Sequence, residues 1–279
     1  MAEAVAERVR RYILDGSDED LRRLLSIAEV SAEMARAAFR RTGMQQGWTA
    51  IDCGCGPIGG LAVMAEMAGP CGRIVGVDFN PAAVQRARAV ASALELDNVE
   101  VVAGDLRELD PAALGGPFDL AYTRLFMMHQ ADPVRTLRRI AGFLRPGGWL
   151  VAQEALRIPP PRSHPYLEAL TGYWNLIYEL LDRAGVPPGT VGDLPRSARE
   201  AGFEVAGMSG CFLTADPELV FEIHASTLAA ARERAVQSGI AAGRIDDLVQ
   251  EIRAAKDGGY EWVSSPFYLD LTLRKPTVE

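Results

Sequence analysis

Hydrophobic and polar positions follow two different periods along the first half of the chain. Apolar side chains recur every three or four residues from 18 to 41, which predicts an N-terminal helix. Five short apolar runs follow and predict buried strands over 48–53, 73–78, 99–103, 117–122 and 149–154. Helical patterns separate them over 59–67, 81–94 and 133–144. This alternation predicts right-handed βαβ units, and therefore a mostly parallel sheet with helices on both faces.

The pattern changes after residue 154. Pro159, Pro160 and Pro161 interrupt the chain, and an amphipathic helix is predicted over 165–184. The remaining elements are predicted as helices over 193–201, 217–237 and 246–255, and strands over 203–212 and 261–273. The segments 155–200 and 213–258 are long enough to cover a cleft, which suggests an enclosed pocket for a largely apolar small molecule.

A glycine-rich segment lies between the first strand and the next helix. Residues Gly54 to Gly59 satisfy the pattern G-x-G-x-x-G, which lets a ligand approach the backbone closely. The start of the following helix can favour an anionic group, either the pyrophosphate of NAD or the carboxylate of an amino acid. The glycine pattern alone therefore leaves both ligands open.

Three acidic residues distinguish these ligands. Asp52 precedes the first glycine by two residues, where its charge would repel a pyrophosphate but suit a ligand with an ammonium and a sulfonium group. Asp78 ends the second strand and could accept both ribose hydroxyls of either ligand. Asp105 follows the third strand, where it could bind an adenine amino group or only cap a helix. Together these residues favour S-adenosylmethionine over NAD.

The ordered motifs resemble those of class I S-adenosylmethionine-dependent methyltransferases. Besides the residues above, the resemblance rests on 118–122 and on 144–150, which contains Arg145-Pro146-Gly147-Gly148. It is strong over 48–154 and resembles most the ubiquinone and menaquinone biosynthesis type and the small-molecule methyltransferases of secondary metabolism. It implies one Rossmann-like α/β domain over 1–279, with a seven-stranded, mostly parallel sheet whose last strand is antiparallel. Within it, 1–47 would form a helical N-terminal segment and 48–154 the cofactor-binding core.

The resemblance also implies the residues that bind S-adenosylmethionine and later its product S-adenosylhomocysteine. They are Asp52, Gly54, Cys55, Gly56, Asp78, Phe79, Gly104, Asp105, Leu106, Thr123 and Arg124. Asp52 and the glycines would line the methionine part and Asp78 the ribose. Phe79 and Leu106 would sandwich the adenine, and Thr123 with Arg124 would lie beside the sulfonium.

Methyl transfer does not strictly require a catalytic side chain, but a general base helps when the acceptor is a hydroxyl or an acidic carbon. His129 follows the fourth strand, at the sheet edge where ligands bind in such folds, so it is our candidate base, although a packing role there is common. His164 and His224 are expected to be structural. We expect no metal, because carboxylates do not follow the fourth strand. The aromatic residues Tyr166, Tyr173, Trp174 and Tyr178 could line an acceptor pocket or form plain core.

Charge and composition narrow the partners. The net charge is −8 and no basic tract is present, so a nucleic-acid substrate is not expected. Residues 1–8 carry acids and lack the apolar stretch of a signal peptide, and no apolar run could span a bilayer, which predicts a cytoplasmic protein without membrane contact. The expected partner is a small-molecule methyl acceptor, and a homodimer stays open. The alternatives are an NAD(P)-dependent oxidoreductase and an S-adenosylmethionine-binding protein that does not methylate.

Overall fold

The computed structural model describes residues 19–157, 160–187 and 189–277. Helix α1 spans Glu19–Arg41. It confirms the predicted N-terminal helix, whose first predicted residue, 18, lies outside the described residues together with residues 1–17. Within the described ranges the fold is α/β, as predicted.

One mixed sheet carries the fold. Its strands are β1 (Thr49–Cys53), β2 (Arg73–Asp78), β3 (Val99–Ala103), β4 (Phe118–Arg124), β5 (Leu144–Ala155), β6 (Ser163–His164), β7 (Glu204–Ala215) and β8 (Trp262–Arg274). Strands β3, β2, β1, β4 and β5 lie side by side in that order and are parallel, and β8 adds antiparallel to β5. Strand β7 pairs with the other side of β8. The antiparallel last strand confirms the expectation, and the two-residue β6 is an addition that the sequence did not reveal.

Helices connect the strands and cover both faces of the sheet. They are α2 (Leu61–Ala68), α3 (Pro81–Ala93), α4 (Pro133–Phe143), α5 (Glu168–Arg183), α6 (Leu194–Glu200), α7 (Pro217–Gln237) and α8 (Ala242–Ala254). Helix α3 begins with a proline, and the side chain of Asn80 accepts from Ala82 N–H at 3.0 Å. Helix α4 begins in the same way after Asp132, which accepts from Arg135 N–H at 2.9 Å. These local signals explain why the predicted starts of α3 and α4 are correct.

Two predicted boundaries differ from the structure by four residues or more. Residues 145–148 were expected to be a turn before the fifth strand, but β5 already begins at Leu144 and the four residues form a bulge within it. The bulge stays in the sheet because Gly147, with φ +73°, donates its N–H to Lys275 O at 3.0 Å. Helix α8 begins at Ala242, four residues before the predicted 246, and its first turn contains Gly243, a poor helix former.

The helices divide the core into layers. Helices α4 and α6 pack on one face of the sheet, and α1, α2 and α3 pack on the other. Helices α5, α7 and α8 form a further apolar cluster beside the end of β5. No helix within the described ranges is both long and apolar enough to cross a membrane.

Candidate functional site

The carboxyl ends of the parallel strands bring the predicted residues to one edge of the sheet. Asp78 lies beside Ala103 in the β2–β3 register, and its carbonyl oxygen accepts from Gly104 N–H at 2.9 Å. Its carboxylate accepts from Gly56 N–H at 2.9 Å. The glycine loop, Asp78 and Gly104 are therefore linked directly, as expected where ligands bind in this type of sheet.

Asp52 lies on β1, and its side chain extends into the glycine loop. Its side chain is buried, and Oδ2 accepts from Gly60 N–H at 2.6 Å, directly before α2 begins. Burial raises the pKa of Asp52 to about 7, although the bond from Gly60 and the positive charge of Arg124 oppose this shift. The group at the start of α2 is thus a carboxylate of the chain itself, which leaves less room there for a pyrophosphate.

Two glycines of the loop have different reasons to be glycine. At Gly59, with φ +47°, a Cβ would lie 2.2 Å from Asp52 Oδ2 and 2.7 Å from Cys55 O. At Gly56, with φ +53°, a Cβ would meet nothing within 4 Å. Gly59 therefore closes the loop around Asp52, whereas Gly56 leaves open space above the backbone.

Asp78 and Phe79 form the next part of the edge. The half-buried carboxylate of Asp78 accepts from Asn80 N–H at 2.8 Å with its second oxygen. The side chain of Phe79 is 79% exposed, the most exposed of the large hydrophobic side chains in the described ranges. An aromatic ring left in water beside a held carboxylate is a suitable contact for a nucleoside.

Asp105 and Leu106 follow β3 and have separate surroundings. Asp105 is bound by the side chain and the backbone N–H of Arg107, which lower the pKa of its carboxyl to about 2. Leu106 is buried in the core, and its carbonyl accepts from Arg139 Nε at 2.8 Å. Their contacts with adenine stay predictions, and a ligand would have to share Asp105 with Arg107.

Cys55 points away from the open side of the loop. Its thiol is buried, and a Cβ on Gly76 would lie 3.0 Å from Sγ, so the side chain packs against β2. Burial raises the pKa of this thiol, which keeps it neutral. The N–H groups of Gly54 and Cys55 donate to Val77 O at 2.8 and 3.0 Å. Any contact of Cys55 with a ligand would come from its backbone.

Arg124 joins the glycine loop to the N-terminal helix. Its guanidinium donates to Gly59 O at 3.0 Å and also to the hydroxyl of Ser31 on α1. Thr123, which was predicted to lie beside the ligand, is buried and donates to Glu154 Oε1 at 3.4 Å. Arg124 therefore borders the glycine loop, and its position beside the sulfonium stays a prediction, while the side chain of Thr123 is directed to β5.

Glu154 holds the segment that follows β4. Its buried carboxylate accepts from the N–H groups of Phe126, Met127 and Met128 at 3.2, 3.0 and 3.3 Å. Burial raises its pKa to about 7 in spite of these bonds. The same segment contains Leu125 with φ +52°, a strained conformation for this residue. The sequence showed only that Glu154 ends a strand, and its acidity in an apolar run was the one available signal.

The three histidines differ in their surroundings. His129 lies on a short 3₁₀ turn. Neighbouring atoms shield its ring from part of the surrounding water, and this desolvation, together with the positive charge of Arg234, lowers its pKa. Its role as a base stays a prediction. His164 is exposed on β6, whereas His224 on α7 is buried at 1% exposure, with its ring 4.6 Å from that of Tyr173.

The aromatic residues predicted around α5 also differ in how far they are buried. Tyr173 and Trp174 are buried in the cluster beside β5, and Tyr166 is 58% exposed. Tyr178 is half-buried under the guanidinium of Arg157.

In the described ranges, no group of three acidic, histidine or cysteine side chains is arranged to hold a metal ion.

Comparisons with known proteins point to methyltransferases. A family model described as a methyltransferase domain matches residues 45–175. The chain is 30% identical over 186 residues to a ubiquinone biosynthesis O-methyltransferase of Thiobacillus denitrificans, covering 63% of this chain and 73% of that protein. It is 32% identical over 155 residues to a trans-aconitate 2-methyltransferase of Azoarcus sp. strain BH72, covering 56% of this chain and 57% of the relative.

A solved structure shows the same fold at lower identity. The crystal structure of the [4+2]-cyclase SpnF superposes with a TM-score of 0.57 and 20% identity, covering 89% of this chain and 82% of that one. This likeness concerns the fold. The chain spans about half the length, or less, of several relatives that it matches.

Proposed function

Because the chain belongs to the class I S-adenosylmethionine-dependent methyltransferases, we propose that it transfers a methyl group from S-adenosylmethionine to an oxygen, nitrogen or carbon nucleophile of a small, largely apolar molecule. The relatives' names refer to a quinone pathway and to trans-aconitate, both small-molecule contexts. The net charge of −8 also favours such an acceptor over a nucleic acid.

The observation that carries the proposal is the continuous edge from the glycine loop to Phe79. Gly56 leaves open space above the backbone, Asp78 holds a carboxylate beside it, and Phe79 exposes an unpartnered ring. These residues fit the amino-acid end, the ribose diol and the adenine of S-adenosylmethionine in that order. When bound, this cofactor supplies an electrophilic methyl group on a sulfonium.

The chain's own residues would bind and orient the reactants. Asp52 and Asp78 each hold a loop N–H group, so the loop is fixed before any ligand arrives. Arg124 ties the loop to α1, which covers this end of the sheet and helps exclude water. Much of the catalysis can then come from holding donor and acceptor in line in a dehydrated site.

Calorimetric titration of the purified protein tests the proposal. We expect S-adenosylmethionine and S-adenosylhomocysteine to bind with one site per chain, and NAD and NADP not to bind. S-adenosylhomocysteine should also raise the melting temperature, because it binds only the folded state. Binding of NAD(P) without binding of either adenosyl ligand would overturn the proposal. Tight cofactor binding without methyl transfer to any acceptor tested would instead favour a non-methylating protein.

A further inference from the structure

The turn that follows β4, residues 125–128, contacts the glycine loop. A Cβ on Gly54 would lie 2.4 Å from Cδ2 of Phe126, so the Phe126 ring occupies the space beside Gly54 that a side chain would take. At the other end of the loop, the guanidinium of Arg124, directly before the turn, donates to Gly59 O at 3.0 Å. The conformation of the turn therefore affects how the glycine loop can meet a ligand.

Glu154 supplies the hydrogen-bond acceptors that hold this turn. Strand β5 pairs with β4 as far as Arg124. Beyond that residue, Oε1 of Glu154 accepts from the N–H groups of Phe126 and Met127 at 3.2 and 3.0 Å. Its Oε2 accepts from Met128 N–H at 3.3 Å. One side chain thus takes the place of the neighbouring strand for three successive N–H groups.

The backbone of the turn has the shape of an anion-binding site. Leu125 has φ +52°, in the left-handed region, and Phe126 follows with φ −111° and ψ −49°, in the right-handed helical region. Such a succession directs consecutive N–H groups to one side and forms a concave site for an anion. The carboxylate of Glu154 fills this site. A strained residue such as Leu125 keeps its conformation only when its surroundings hold it, which the carboxylate does here.

The turn borders one half of the proposed cofactor site. Gly54, which Phe126 contacts, lies two residues before Gly56, above which we place the amino-acid end of S-adenosylmethionine. The adenosine half is placed on Asp78 and Phe79, after β2. The carboxylate of Asp78 is held by the N–H groups of Gly56 and Asn80 and does not depend on the turn directly. A change in the turn should therefore act first on the amino-acid half.

We propose that Glu154 is a positioning residue for the methyl donor. By holding the turn, it keeps the ring of Phe126 beside Gly54, where the ring forms a wall for the amino-acid half of S-adenosylmethionine. The assignment rests on the proposed function and adds two residues to its site. Glu154 is fully buried and both of its oxygens accept from the backbone, so it acts through Phe126 and not on the reacting atoms.

Two ligands that share the adenosine half test the proposal. The probes are S-adenosylhomocysteine and 5′-methylthioadenosine, which keeps the adenosine and the sulfur but lacks the amino-acid group. Burial raises the pKa of Glu154 to about 7, so both are titrated into the full chain at pH 8, where the carboxylate is mostly ionised. Calorimetry measures the first ligand and ligand-observed nuclear magnetic resonance the second.

Glu154→Gln replaces one acceptor oxygen by an amide nitrogen, which cannot accept from a backbone N–H of the turn. We expect it to weaken S-adenosylhomocysteine about tenfold and to leave 5′-methylthioadenosine within about twofold of the wild type. Asp270→Asn is the matched control. It replaces a buried carboxylate on β8 that is bound by Arg41 and Gln153, and it should lower stability without changing the ratio of the two affinities.

Phe126→Leu keeps the test decisive if Glu154→Gln fails to fold. It should also weaken S-adenosylhomocysteine, by about fivefold, and spare 5′-methylthioadenosine. In the double variant the two losses should not add, because both act through the same ring.

Equal weakening of both ligands, or an unchanged affinity for S-adenosylhomocysteine in a folded Glu154→Gln or Phe126→Leu, would overturn the assignment. So would fully additive losses in the double variant, or the same change of ratio in Asp270→Asn. These outcomes all require a wild type that binds S-adenosylhomocysteine. Absence of that binding in the wild type would instead overturn the proposed function, and the assignment with it.

Discussion

The glycine loop and the surroundings of His224 on α7 differ in how their buried polar atoms are paired. In the loop, Asp52 accepts from Gly60 N–H, and Asp78 accepts from Gly56 and Asn80 N–H. Around His224, Nδ1 is buried without a hydrogen-bond partner in the described ranges, whereas no buried side-chain nitrogen or oxygen of the glycine loop, β1 or β2 lacks one. The acidic side chains of the loop are therefore held by the protein itself, while the packing around His224 leaves one polar atom unpaired.

The largest expected effect comes from adding a side chain at Gly59, where the loop packs against Asp52. In Gly59→Ala, the new Cβ would meet the buried carboxylate of Asp52 at 2.2 Å and the backbone at Cys55 O. We expect a loss of about 3–5 kcal/mol in the free energy of unfolding, from overpacking and backbone strain together. Urea unfolding measures it. Gly43→Ala is the matched control, since Gly43 also has positive φ but open space around it, and should cost about 1 kcal/mol. Equal losses would mean that the loop is not closed around Asp52.

The next effect concerns cofactor binding at the open side of the loop. Asp78→Ala should weaken binding of S-adenosylmethionine by about 1.5–3 kcal/mol, the range for hydrogen bonds to a charged group. Calorimetry measures the change. Asp78→Asn should lose less, because its amide oxygen can still accept from Gly56 N–H. Asp246→Ala on α8 removes an equally charged but distant side chain and should change nothing. Unchanged affinity in folded Asp78→Ala would remove Asp78 from the site.

The third prediction is a dependence of stability on pH. Burial raises the pKa of Glu154 from 4.5 to about 7, so between these values the folded protein holds a proton that the unfolded chain releases. Stability must therefore fall as pH rises through this interval, by up to about 1.4 kcal/mol per pH unit from this group. Glu154→Gln should remove this slope, whereas the contributions of Asp52 and His224 remain.

Urea unfolding of both proteins at pH 5, 6, 7 and 8 gives the difference in slope. The exposed Glu251→Gln on α8 is the matched control and should retain the wild-type slope. A Glu154→Gln slope equal to that of the wild type would show that Glu154 is ionised in the folded protein over the whole range.

The smallest expected effect concerns the contact between helix α1 and the glycine loop. Ser31→Ala removes the hydroxyl that accepts from Arg124, the side chain that joins α1 to the glycine loop. We expect a loss of about 1 kcal/mol in stability, with a similar weakening of S-adenosylmethionine binding. Thermal unfolding with and without the ligand measures both. Ser26→Ala on the same helix should be neutral in both measurements, and a matching loss there would assign the effect to helix α1 in general.

The two regions also differ in how far the sequence predicted them. The glycine loop, Asp78 and Asp105 follow strands that their own apolar runs reveal, so their meeting at one edge follows from the parallel sheet. The surroundings of His224 could not be predicted, because its partner Ser264 lies 40 residues further along the chain and meets it only through the packing of α7 on the sheet. Glu154 was recognised as a strand end, but its three N–H partners depend on the unusual backbone at Leu125. The bulge at 145–148 was missed because Gly147 pairs with Lys275, far along the chain.

The most direct test of the account is a crystal structure of the protein grown with S-adenosylhomocysteine. We predict the ligand along the glycine loop, with its amino-acid end above Gly56, its ribose hydroxyls on the carboxylate of Asp78 and its adenine against Phe79. A ligand bound elsewhere, or one whose ribose does not contact Asp78, would contradict the account.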